Sequence, residues 1–138
     1  MILHVYTDGG ARGNPGPAGY GLVVSDQNQQ ILYQESKYLG VQTNNVAEYS
    51  ALLAATSWVV KNLSNLSLSK IIFYSDSQLL IRQVEGSYKV KAVHLKPLHS
   101  AVTALLSSLT VPYQFKNIPR EKNQLADELA NLAMDRKL

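Results

Sequence analysis

Twice in this chain a short run of β-branched, aromatic and aliphatic residues arrives at an aspartate. Ile2 to Thr7 delivers Asp8 and then meets Gly9-Gly10, and Lys70 to Ser75 delivers Asp76 and then meets Ser77. The two ends echo each other, Tyr6-Thr7-Asp8-Gly9 against Tyr74-Ser75-Asp76-Ser77. Such runs suit buried strands. The glycines and prolines that follow the first, Gly9-Gly10 and then Gly13-Asn14-Pro15-Gly16-Pro17, are expected to end the strand after Thr7 in a turn, because glycine and proline do not continue a strand. Each acid then sits at a strand end. Taken singly, either is ordinary turn chemistry, Asp8 bonding its own backbone and Asp76 capping the helix begun by Ser77.

The rest of the chain supplies a setting for the pair. Tyr20 to Ser25 and Gln30 to Leu39 read as second and third strands around a turn at Asp26 to Gln29, which makes an antiparallel meander. Thr43-Asn44-Asn45 offers cap residues ahead of a helix from Val46 to Asn62, whose Ala47, Ala51, Ala54 and Ala55 allow close approach to a sheet. After the strand at Lys70 come a short helix from Ser77 to about Val84, a polar, basic loop from Glu85 to Lys96 and a helix from Pro97 to Leu109. A last strand spans Val111 to Ile118 and a loop Pro119 to Gln124. Leu125, Leu129, Leu132 and Ala133 then mark a closing amphipathic helix. The expected fold is α/β, a five-stranded mixed sheet flanked by helices, with strands 1–3 antiparallel and strands 1, 4 and 5 parallel. Open α/β sheets collect their sites at strand ends.

Several chemistries are excluded. The 138 residues include no cysteine, so there is neither a disulfide framework nor a thiolate metal site. His4, His94 and His99 lack the spacing of a zinc site. The glycine-rich turn lacks a Gly-Lys-Ser/Thr ending and is not a phosphate loop. A net charge of +3 is mild. No apolar run reaches membrane-spanning length, and the expectation is one cytoplasmic domain over residues 1–138, monomeric, with no membrane partner.

If the strands of Asp8 and Asp76 are parallel neighbours, the two acids are about 5 Å apart. Carboxylates that close repel unless something compensates them. Glu48 and Asp127, each near the start of a helix, are positioned to join them, although both also suit a helix N-terminal dipole. Four acids in one cleft call for a cation, and an all-oxygen donor set suits magnesium (Mg2+) or manganese (Mn2+). Carboxylate-held ion pairs about 3.5–4 Å apart serve in-line displacement at phosphorus, so nuclease or related phosphoryl-transfer chemistry follows.

The ordered set Thr7-Asp8-Gly9-Gly10 with Gly13 to Gly21, Thr43-Asn44-Asn45-Val46-Ala47-Glu48, Ser75-Asp76-Ser77-Gln78 and Ala126-Asp127-Glu128-Leu129-Ala130 resembles the four motif blocks of type 1 ribonuclease H, over nearly the whole chain. The resemblance implies a ribonuclease H-like fold and hydrolysis of the RNA strand of an RNA/DNA hybrid to 5′-phosphate and 3′-hydroxyl ends. It implies two Mg2+ or Mn2+ ions in the substrate complex. Asp8 would bridge both, Asp127 would help hold the ion that activates water, and Glu48 and Asp76 would help hold the ion at the leaving oxygen. Asn14, Asn44, Asn45 and Gln78 match positions that contact the hybrid in its minor groove, and Thr43 matches part of a pocket for a DNA-strand phosphate. Each also has a plain structural use: Asn14 as turn residue, Thr43 and Asn44 as caps, Gln78 as a solvated helix residue.

The chain departs from the family pattern twice. The long basic insertion of some bacterial members is absent, leaving Lys89, Lys91 and Lys96 on a short loop. The mobile histidine of many members is missing ahead of Asp127, where Arg120 or Glu121 stands instead; Arg120 is the preferred substrate contact. A hybrid-binding module without catalysis and an enzyme acting also on double-stranded RNA are the alternative readings.

Overall fold

The computed structural model describes residues 1–137. Strands β1 (Ile2–Ala11), β2 (Gly16–Ser25) and β3 (Ile31–Gln42) form the antiparallel meander. Helix α1 (Asn44–Asn62), β4 (Lys70–Ser75), α2 (Gln78–Val84), α3 (Lys96–Ser107), β5 (Tyr113–Asn117) and α4 (Gln124–Arg136) follow. The sheet order is β3-β2-β1-β4-β5, with β1, β4 and β5 parallel, as the helical crossovers require.

Strand alternation divides the residues between two faces. Leu3, Val5, Leu22, Val24, Ile71 and Phe73 pack with Tyr49, Leu52 and Val59 of α1 and Val102 and Leu106 of α3, all of them buried. His4, Tyr6 and Asp8 point to the opposite face, where α4 lies across β2. Trp58 sits at the core edge, stacked on Tyr33 at 5.3 Å between ring centres.

Two expectations are corrected. β1 does not stop at Thr7 but runs on through Ala11, pairing Gly9 with Tyr20, Gly10 with Gly19 and Ala11 with Ala18. Gly9 is needed for contact rather than for turning. A Cβ there would lie 2.4 Å from the backbone carbon and oxygen of Ala47, so its absence seats the start of α1 on the strand. The turn is confined to residues 12–15, closed by the Arg12 N–H bonding the Pro17 carbonyl at 2.9 Å. Likewise β3 continues beyond Leu39 to Gln42.

The second correction concerns α4. Leu125 is 54% exposed, and the residues buried against the sheet are Ala126, Ala130, Ala133 and Met134. Small residues win because β2 presents glycines beneath them. A Cβ on Gly21 would meet the Ala126 carbonyl oxygen at 2.2 Å, and one on Gly19 would meet the Ala133 Cβ at 2.9 Å. Gly21 is the cross-strand partner of Asp8, so the bare spot that admits α4 lies beside the first acid.

Replacing Gly21 by alanine is therefore expected to destabilise the chain by at least about 2 kcal/mol, since an added methyl meets backbone that cannot yield cheaply. A urea-unfolding midpoint equal to the parent's would show that α4 does not rest on Gly21.

Candidate active site

The pairing of β1 with β4 ends at Tyr6 and Tyr74. Asp8 lies beyond that point on the continuing strand, and Asp76 follows β4 immediately. Asp76 is fixed by the turn into α2, where the Ser77 N–H donates to Ser75 Oγ at 3.0 Å and Ser77 Oγ accepts the Leu80 N–H at 3.2 Å. Ser77 is thus the cap of α2, which leaves the Asp76 carboxylate out of that role. Glu48 reaches the same spot from α1, its Oε1 accepting the Gly9 N–H at 3.2 Å.

One carboxylate oxygen from each of Asp8, Glu48 and Asp76 lies within 4.8 Å of the other two. Asp127, on the first turn of α4, stands outside this tight trio but lines the same cleft and meets the Asp8 carboxyl. Arg120, on a 3-10 turn spanning Arg120–Lys122, places Nη2 3.3 Å from Asp127 Oδ1 at the rim.

Asn44 and Asn45 form another wall of the cleft, with Arg12 and Asn131 at its end. Asn44 Oδ1 accepts the Ala11 N–H at 2.7 Å, while its own N–H donates to Asn14 Oδ1 at 3.0 Å. That pair of bonds ties the glycine-rich turn to the start of α1. Thr43 caps α1, Oγ1 accepting the Val46 N–H at 3.2 Å. Gln78 is exposed at the start of α2. Asn14, Thr43 and Gln78 flank the cleft without lining it, and of the two loop candidates Arg120 lines it while Glu121 lines a different cavity.

In the sequence Asn123 is only a loop residue. It is 2% exposed, and its Nδ2 donates to the Thr7 carbonyl at 2.8 Å. This bond spans 116 residues and fixes the start of α4 against β1, one residue before Asp8. The sequence carries no signal for it, because the bond exists only once the first strand and last helix meet.

Burial and crowding shape the charges. Burial pushes the Asp8 carboxyl up to about 8, helped by the negative charges of Asp76 and Asp127 and opposed by Arg120. Glu48 is raised well above the carboxylate range by burial and then by Asp8 and Asp76, against the pull of the Gly9 N–H. Asp76 is raised chiefly by burial, with Arg120 working against it. Glu48 Oε2 is buried without a hydrogen-bond partner among the described residues. An all-oxygen cluster that resists its own ionisation and holds an orphaned acceptor fits a hard divalent cation such as Mg2+ or Mn2+.

A carboxyl whose pKa is higher folded than unfolded favours the protonated folded state, so its contribution is present at low pH and is lost as pH rises. For Asp8 the window runs from 3.8 to about 8. The metal-free chain is expected to lose about 2 kcal/mol or more across it, and millimolar Mg2+ or Mn2+ to restore the loss. Asp8→Asn should flatten the profile and raise the metal-free melting temperature at pH 8. Parallel melting curves for variant and parent would contradict this account of the site.

Comparison with known proteins agrees with this geometry. Residues 6–133 match the reverse transcriptase-like family. A bifunctional protein of Mycobacterium tuberculosis is 42% identical over 137 residues, 98% of this chain but 36% of the relative, so the chain spans about a third of the length of that curated protein. LC11-RNase H1, solved in complex with an RNA/DNA hybrid, is 42% identical with a TM-score of 0.90, covering 98% of both chains. RNase H1 of the archaeon Halobacterium salinarum is 33% identical with a TM-score of 0.87, covering 99% of both. With the likeness extending over nearly the whole length of solved members, this chain belongs to the type 1 ribonuclease H family, within the reverse transcriptase-like proteins.

Proposed function

We propose that this chain is a single-domain, metal-dependent endonuclease, spanning residues 1–138, that hydrolyses the RNA strand of RNA/DNA hybrids to 5′-phosphate and 3′-hydroxyl products. The observation that carries the reading is the convergence of Asp8, Glu48 and Asp76 within 4.8 Å, with an unpartnered Glu48 oxygen, in a cleft that also holds Asp127. A polyanion binder gains nothing from clustered negative charge, which argues against a purely binding role. The family member seen with a hybrid supports the choice of substrate.

In this reading Asp8, Glu48, Asp76 and Asp127 hold two Mg2+ ions, or Mn2+, when substrate is bound. Ions held there would supply an activated water and a counter-charge for the leaving oxygen. Asp8 contributes from the centre of the group. Asp127 approaches from α4, oriented by Arg120, whose exposed guanidinium is free on its outer side to take a phosphate. Asn44 and Asn45, with Asn14 and Gln78 flanking, present short side chains that both donate and accept, matching the wide, shallow minor groove of an A-like duplex. Thr43 keeps its hydroxyl hydrogen for a DNA-strand phosphate while its oxygen caps α1. The catalytic unit is proposed to act as a monomer; no helix among the described residues is long and apolar enough to cross a membrane.

Labelled RNA/DNA hybrid, double-stranded RNA and double-stranded DNA, each with Mg2+, Mn2+ or EDTA, test the reading. The expected result is metal-dependent cutting of the hybrid's RNA strand, with Asp8→Asn slower by about a hundredfold or more, the scale of losing one charge-stabilising group. Arg120→Ala should raise KM more than it lowers kcat. Cleavage of the hybrid by Asp8→Asn at the parent rate would overturn the mechanism, and equal cutting of double-stranded RNA would broaden the substrate.

A further inference from the structure

On the α4 side of the sheet three rings form a stack that is open at one end. His4 and Tyr74 are 5.7 Å apart between ring centres, and Tyr74 and Tyr6 are 4.4 Å apart and within 8° of parallel. The Tyr74 hydroxyl is hydrogen-bonded to His4 Nδ1 at 2.7 Å, which fixes the arrangement. Because β4 lies on one side of β1 and β2 on the other, Tyr74 covers one face of Tyr6, while the face towards β2 rises beside the small side chain of its cross-strand partner Val23. That side borders a cavity of about 320 Å³, lined in part by Val23, Ile31 and Leu125. The cavity is separate from the acid cleft, on the far side of the loop that carries Arg120.

Its polar wall is the start of α4. No side chain caps this helix, and its first main-chain bond runs from the Asp127 N–H to the Asn123 carbonyl, so the amides of Gln124 and Leu125 have no intrahelical partner. Asn123 lines the same cavity, is 2% exposed, and has no hydrogen-bond partner for Oδ1 among the described residues. Lys122 adds a positive charge, which Glu121 opposes.

From this geometry we infer that the cavity is a nucleotide site, in which an unpaired base extends the ring stack on Tyr6 and its phosphate lies by the α4 N-terminus and Lys122. Sequence-tolerant stacking on an aromatic face with a nearby cation is how unpaired nucleotides are generally held, and helix N-termini accept phosphate. The nucleotide can be free or the unpaired end of a nucleic-acid strand. Lys122, Asn123 and Leu125 link the cavity directly to the segment that carries Arg120 and Asp127, so an occupant there stiffens one wall of the cleft.

Amide NMR of the whole chain in EDTA, with AMP as probe, reads binding independently of whether the cleft hydrolyses a hybrid. AMP is expected to shift Val23, Ile31 and Leu125 and to leave Asn45 and Glu48 in place. Tyr6→Leu should weaken binding about tenfold, the scale of one stacking contact. Ile31→Trp, at a position 46% exposed, should fill the cavity and remove binding while leaving hybrid hydrolysis at the parent rate. Glu121→Gln should tighten AMP but not adenosine. Blunt hybrid against hybrid with a short single-stranded overhang separates the sources: shifts with the overhang assign a strand end, and shifts with AMP alone assign a free nucleotide. Unshifted cavity amides with both overhang and about 10 mM AMP, or AMP shifts that survive Ile31→Trp, would overturn the proposal.

Discussion

Repulsion among clustered carboxylates is the constraint on which the rest of the structure depends. Asp8, Glu48 and Asp76 come from three separate elements, yet present oxygens within 4.8 Å of one another. No local preference of the chain produces that. Each acid is held by something other than attraction to its neighbours: Asp8 by a strand paired on its β2 side, Glu48 by the seating of α1 on Gly9, Asp76 by the Ser77-capped turn into α2. The hydrophobic core beneath supplies the free energy that keeps like charges together, and the site draws on stability stored elsewhere.

Much of this was legible in the residues. The two apolar runs ending in aspartate gave both central strands and both central acids, because a buried strand and its terminus are local patterns. The helix carrying Glu48 was clear from its spacing and its alanines. What escaped was the set of features that depend on two distant segments meeting. Gly9 and Gly10 suggest a turn because glycine usually marks one, whereas both are strand residues, and the use of Gly9, close approach by α1, cannot be read from either segment alone. By hydrophobicity alone the leucines of α4 form its buried stripe, whereas the glycines of β2 select alanines there instead.

The substrate-contact candidates show the same divide. Thr43 and Asn14 suit both a structural and a functional use in the sequence, and the geometry gives each a structural bond without removing its other polar atoms from use. Such residues serve the fold and the surface together, so motif spacing detects them but does not apportion the two roles. Arg120 was separable from Glu121 only by position, since one projects into the cleft and the other away from it.

The helix α4 is latched at both ends to the beginning of the chain, by Asn123 to the Thr7 carbonyl and by Arg12 to Asp135. These contacts close loops of 116 and 123 residues, among the most expensive to form early in folding. The order of synthesis then matters. On the ribosome the meander, α1 and β4 emerge, and with them three of the acids, well before α4 does. The chain cannot complete the cleft until that helix arrives. Assembly thus withholds the fourth acid from every shorter intermediate.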